Sequence, residues 1–77
     1  MTSQNSDDPA MVKVRDLWEA KKADGWTMQT LGEKMGYNAE SARKSVSQFL
    51  RSNDPHISML RRFAGAVGVA VSTLTRD

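Results

Sequence analysis

The sequence predicts an all-α fold, a compact bundle of about five short helices. Three observations carry that expectation. Apolar residues recur at helical spacing in each patterned segment, and glycines or turn residues separate those segments. No stretch alternates apolar and polar residues for long enough to form a strand, since AVGVAV (66–71) is short and interrupted by glycine.

The opening residues are polar and without period, so a disordered tail is expected over residues 1–8 and a folded domain over 9–77. At their junction Asp8-Pro9 is a helix-start signal: a carboxylate accepts from an orphan backbone N–H, and proline at the first helical position loses nothing by lacking one. Met11, Val14, Leu17 and Trp18 then follow helical spacing, with the stem of Lys21 beside them, until Asp24-Gly25 stops the helix. Thr27 caps a second helix through Met35, with Met28, Leu31 and Met35 on one face and Gly36 as a left-handed terminator.

Asn38 is the expected cap of a third helix, about 39–51, in which Ala42, Val46, Phe49 and Leu50 stand at i, i+4, i+7 and i+8. Residues 52–55, Ser-Asn-Asp-Pro, read as a turn, because the residue before proline is pushed out of helical space. A fourth helix is expected over 58–67, burying Ile57, Leu60, Phe63, Ala64 and Val67 and ending at Gly68. Val69 and Val71 continue the core, and Ser72 is expected to cap a last turn carrying Leu74.

Composition excludes several classes of function. A chain of 77 residues makes one domain and hides only about 60% of the surface its unfolded form exposes, so its core is modest. Cysteine is absent and His56 stands alone, so neither a disulfide framework nor a protein-built zinc site is expected. No apolar run approaches the roughly 20 residues that span a bilayer, and MTSQNSDDPA lacks the basic and apolar regions of a signal peptide; the expectation is a cytoplasmic protein with no membrane partner.

Enzyme chemistry finds no foothold. No phosphate-cradling glycine loop or nucleophile motif occurs, and His56, after a proline at a turn, is expected to be solvated or capping; neither catalytic residues nor cofactors are assigned. Asp16, Glu19 and Asp24 with Lys21 and Lys22 read as ordinary surface pairing along the first helix. The net charge is only +2, but residues 39–62 hold five cations (Arg43, Lys44, Arg51, Arg61, Arg62) against two anions (Glu40, Asp54). Such a stripe suits a polyanion and equally suits a solvated helix wall.

Two short helices joined by a glycine turn, the second with a polar and basic outer face, fit a helix-turn-helix, in which an α-helix fills the major groove and its side chains reach base edges. The wider pattern strengthens this. Reading LWEAKKADGWT, LGEKMG, a polar helix, DPHISMLRRFAGAVGV and a closing Leu74, the chain resembles the helix-turn-helix domain of phage repressors and Cro proteins, the lambda-repressor-like fold, over roughly residues 10–75. Lys21 and Gly25 match that family's base and glycine, Trp26 and Thr27 its apolar and hydroxyl pair, and Ile57, Leu60, Phe63, Ala64, Val67 and Val69 its core positions.

The chain also departs from the family. Met28 stands where a phosphate-touching glutamine usually opens the second helix, with Gln29 one residue later, and Gly32 replaces a small alanine-like residue. The glutamate that closes the third helix and pairs with a base on the first has no counterpart, so that ion pair is expected to be missing. The interval GYNAESARKSVSQFLRSNDP (36–55) is longer than the family norm and leaves two registers for the third helix. Aligned from Gly36, Ala39, Glu40, Ser41 and Lys44 face the bases; aligned from Pro55, Arg43, Lys44, Ser45, Ser47 and Gln48 do. The second is preferred because it buries Val46 and Phe49 and keeps Glu40 away from a phosphate-lined groove.

The resemblance implies a sequence-specific transcriptional regulator that binds double-stranded DNA as a homodimer on a near-palindromic operator. Arg43, Lys44, Ser47 and Gln48 are then the base-reading candidates, and Thr27, Gln29, Lys34, Arg51, Ser52 and Asn53 the phosphate candidates. Arg61 and Arg62 are left out, since solvation or pairing with Asp54 or Glu33 accounts for them equally well. Trp26 is expected in the core, Trp18 at its edge and available to a partner, and Met11, Met28, Met35 and Met59 as gap-filling residues. Any dimer is expected to use the last turn with the fourth helix, or Trp18. The alternative reading keeps the fold and gives it a protein partner, such as an antitoxin binding its toxin, with weak or no DNA binding.

Overall fold

The computed structural model describes residues 8–75, and the expected N-terminal tail lies outside them except for Asp8. Five helices follow one another: α1 (Pro9–Ala23), α2 (Met28–Lys34), α3 (Ala39–Arg51), α4 (Ile57–Val67) and α5 (Val71–Thr75). No strand occurs among the described residues, and no helix there is long and apolar enough to cross a membrane.

Each helix begins and ends for a local reason. Asp8 caps α1 as expected: its carboxylate accepts from the Ala10 N–H at 2.8 Å, with Pro9 in the first turn. At the other end of α1, Gly25 N–H donates to the Lys22 carbonyl and Trp26 N–H to the Lys21 carbonyl, the paired bonds of a Schellman stop, and Gly25 takes φ +98°. The end of α2 repeats the device, with Gly36 at φ +101° and bonds from Gly36 to Glu33 and from Tyr37 to Gly32. Thr27 caps α2 by accepting from Thr30 N–H at 3.1 Å. Asn38 occupies the N-cap position of α3, but its side chain accepts from the Ser41 hydroxyl at 2.7 Å instead of from the backbone.

One core joins the helices. Met11 and Val14 of α1, Leu31 and Met35 of α2, Val46 and Phe49 of α3, Leu60, Phe63 and Val67 of α4 and Leu74 of α5 are all buried in it. The Phe49 and Phe63 rings meet at 5.8 Å between centroids and pin α3 to α4. The tightest approach is between α2 and α3: a Cβ added at Gly32 would lie 2.5 Å from the Ala42 carbonyl oxygen. Gly32 is therefore there to let two helix backbones touch, which outweighs its poor helix propensity.

Five residues lie elsewhere than expected. Trp18 is 5% exposed and sits within the core, because its i+7 relation to Met11 keeps it on the buried stripe of α1. Ile57 is 51% exposed: it is the first residue of α4, whereas Leu60 one turn later is buried. Leu50 and Trp26 are half-buried against the core rather than within it. The last helix starts at Val71, so Ser72 lies inside it and caps nothing.

Candidate nucleic-acid interface

The outer face of α3 follows from the same period that buries its inner one. With Ala42, Val46 and Phe49 inside, Glu40, Lys44, Ser47 and Arg51 fall at i, i+4, i+7 and i+11 on the opposite side, flanked by Arg43 and Gln48. These six residues, with Met28 and Gln29 from the start of α2, line one open concavity of about 580 Å³. All four base-reading candidates are therefore brought together, along with the phosphate candidates Gln29 and Arg51.

The two proposed registers of α3 divide differently in three dimensions than along the sequence. Val46 is buried and Lys44 exposed, as the preferred register requires. Glu40, which that register was meant to keep away, nevertheless lines the same concavity as Arg43 and Lys44. Ser45 instead lines a second depression of about 300 Å³, shared with Tyr37, Gln48, Asp54, His56 and Met59.

The phosphate candidates separate according to what already holds them. Gln29 Nε2 donates to the Glu33 carboxylate at 2.7 Å and to the Ala39 carbonyl at 2.8 Å, bridging α2 to the first turn of α3. Thr27 is occupied as the α2 cap and pairs with the Thr30 hydroxyl at 3.0 Å. Ser52 Oγ accepts from Asp54 N–H at 3.1 Å within the turn, and Asn53 Oδ1 accepts from Arg15. Lys34 and Lys21 each stand 5.2 Å from the centroid of the Trp26 ring. Arg51 donates Nε to the Ser47 carbonyl at 3.3 Å and stays exposed.

Arg15 is the residue that sequence reading overlooked. From α1 its guanidinium donates Nε to the Leu50 carbonyl at 3.1 Å and Nη2 to the Ser52 carbonyl and Asn53 Oδ1, both at 3.2 Å. It thereby satisfies the orphan acceptors at the C-terminus of α3, where a cation also meets the negative end of the helix dipole. The available signal was its place at the edge of the α1 apolar stripe, directly after Val14.

Arg62 plays the corresponding part for α2. Its Nη1 donates to the Met35 carbonyl at 3.3 Å and its guanidinium lies 5.4 Å from the Tyr37 ring centroid, so it pairs with neither Asp54 nor Glu33. Tyr37 in turn donates its hydroxyl to the Met59 sulfur at 2.9 Å. By contrast, Arg43 and Lys44 make no hydrogen bond or ion pair among the described residues, and Glu40 makes none either. His56 is exposed at the N-cap position of α4 without a side-chain cap bond, and no group of three metal-ligating side chains occurs among the described residues.

No protein-family model, curated protein or solved structure matches this chain.

Proposed function

We propose that this chain is a DNA-binding transcriptional regulator of the phage repressor and Cro type, acting in the cytoplasm, with α2 and α3 as a helix-turn-helix and α3 in the major groove. The observation that carries the reading is the concavity on α3, where Arg43, Lys44, Ser47, Gln48 and Arg51 converge and where Arg43 and Lys44 make no hydrogen bond or ion pair among the described residues. A helix carrying such side chains has the dimensions to enter the major groove, where arginine or lysine donates to guanine, glutamine pairs with adenine, and serine serves either. Arg51 and Lys34 remain the phosphate contacts of choice. Thr27, Ser52 and Asn53 act on the duplex through the turns they hold.

A homodimer on a near-palindromic operator suits this reading, with half-sites about 34–36 Å apart. Exposed Ile57 offers apolar area on α4, where such a dimer would form, whereas the buried Trp18 does not. The same exposed Ile57, with Val12 at 43% exposure, favours the second reading, a module of this fold that binds a protein such as a toxin.

Titration against duplex DNA over a range of salt separates the two. The regulator reading expects affinity to fall steeply with salt as phosphates release their counterions, with a log–log slope of about −0.9 for each phosphate neutralised. No duplex binding at low salt, together with capture of a protein partner, would move the function to the second reading.

A further inference from the structure

On the reading of α3 as a groove-facing helix, Glu40 has a definite chemistry. It is exposed in the first turn of α3 and shares the concavity with Arg43, Lys44, Ser47, Gln48 and Arg51. It precedes Arg43 by three residues and Lys44 by four, the spacing at which a carboxylate and a cation readily pair on a helix, yet it bonds to neither. A carboxylate left among three cations is an acceptor-only group facing outward. A phosphate repels it and a base-edge amino group attracts it, so in a bound duplex its favourable place is over the base edges while its cationic neighbours hold the backbone or the adjoining bases.

In the major groove an acceptor-only group discriminates sharply. Guanine and the thymine carbonyl present acceptors and repel it, adenine sets its N7 acceptor beside its amino group, and cytosine presents the N4 amino group alone. We infer that Glu40 is a specificity-determining residue that selects cytosine at one position of the bound duplex. The guanine paired with that cytosine then offers O6 and N7 to Arg43 or Lys44, so that one G·C pair is read from both strands by residues three or four apart. A merely structural part for Glu40, an acid favouring the positive end of α3, would give no base preference.

The test is selection of binding sites from a random-sequence duplex library by the wild-type chain, Glu40→Gln and Glu40→Ala, with thermal melts to verify folding at this exposed position. Wild type is expected to enrich cytosine at one half-site position. Glu40→Gln is expected to shift that position alone to adenine, which glutamine matches through N6 and N7, and Glu40→Ala to lose the preference there. The discrimination is expected to be about five- to 150-fold. Selected sites identical to wild type, or a uniform rise in affinity for all duplexes, would overturn the assignment of Glu40 alone. Failure of the wild-type chain to enrich any duplex would overturn the DNA reading on which it rests.

Discussion

Two groups of cations in this small protein have opposite circumstances. Arg15 and Arg62 lie on α1 and α4 and turn inward to main-chain oxygens: Arg15 to the carbonyls of Leu50 and Ser52, Arg62 to that of Met35. Arg43 and Lys44 lie on α3, turn outward, and bond to nothing among the described residues. The first group closes the C-terminal ends of α3 and α2, the two helices whose relative pose sets the shape of the concavity. The second group is what that concavity displays. Residue type does not distinguish the two, since all are basic residues in a chain of net charge +2; the partner does.

The largest effect is expected at the joint between α2 and α3. Gly32→Ala places a methyl 2.5 Å from the Ala42 carbonyl oxygen, a contact that only displacement of backbone relieves. The expected loss is about 3 kcal/mol of stability by denaturant unfolding, at the upper end of ordinary overpacking costs. Because the outward cations ride on α3, the same variant is expected to lose duplex affinity even where it remains folded.

Arg15→Ala comes next. Removing a guanidinium that satisfies three acceptors, two of them carbonyls near the end of α3, is expected to cost about 2 kcal/mol, since hydrogen bonds to charged groups carry more than neutral ones. Arg15→Lys should recover only part of this, as an ammonium cannot reproduce the fork. A melting temperature unchanged in Arg15→Ala would show that the end of α3 needs no clamp.

Arg62→Ala is expected to cost less, about 1 kcal/mol, for one long hydrogen bond and one contact with the exposed side of Tyr37. Equal losses for Arg15 and Arg62 would show that the three acceptors of Arg15 among the described residues hold no more than the one of Arg62.

Most of the fold was legible because its punctuation is local. Gly25, Gly36 and Gly68 all adopt positive φ where helices were expected to stop, and Asp8 and Thr27 cap where helices were expected to start. What escaped was long-range. Arg15 reaches carbonyls 35 and 37 residues away, and main-chain acceptors at such a separation leave no mark in the sequence. Ile57 has the right spacing from Leu60 and is still exposed, because spacing says which side a residue faces and not whether another element covers that turn. Glu40 stands at the helical period of Lys44, Ser47 and Arg51, so its place on the outer face is legible in the sequence.

Arg43 and Lys44 of α3 are expected to act on a molecule outside the fold, while Arg15 of α1 and Arg62 of α4 hold the fold itself. This division is tested most directly by measuring the Arg43→Ala/Lys44→Ala double variant for both thermal stability and salt-dependent duplex binding, beside wild type. Unfolding free energy is expected to stay within about 0.5 kcal/mol of wild type, as for surface positions without partners. Duplex affinity is expected to fall by at least tenfold, with the salt slope made shallower by up to about 2 if both cations neutralise phosphates. Wild-type duplex affinity in the double variant, or a loss of stability as large as that of Arg15→Ala, would contradict the account.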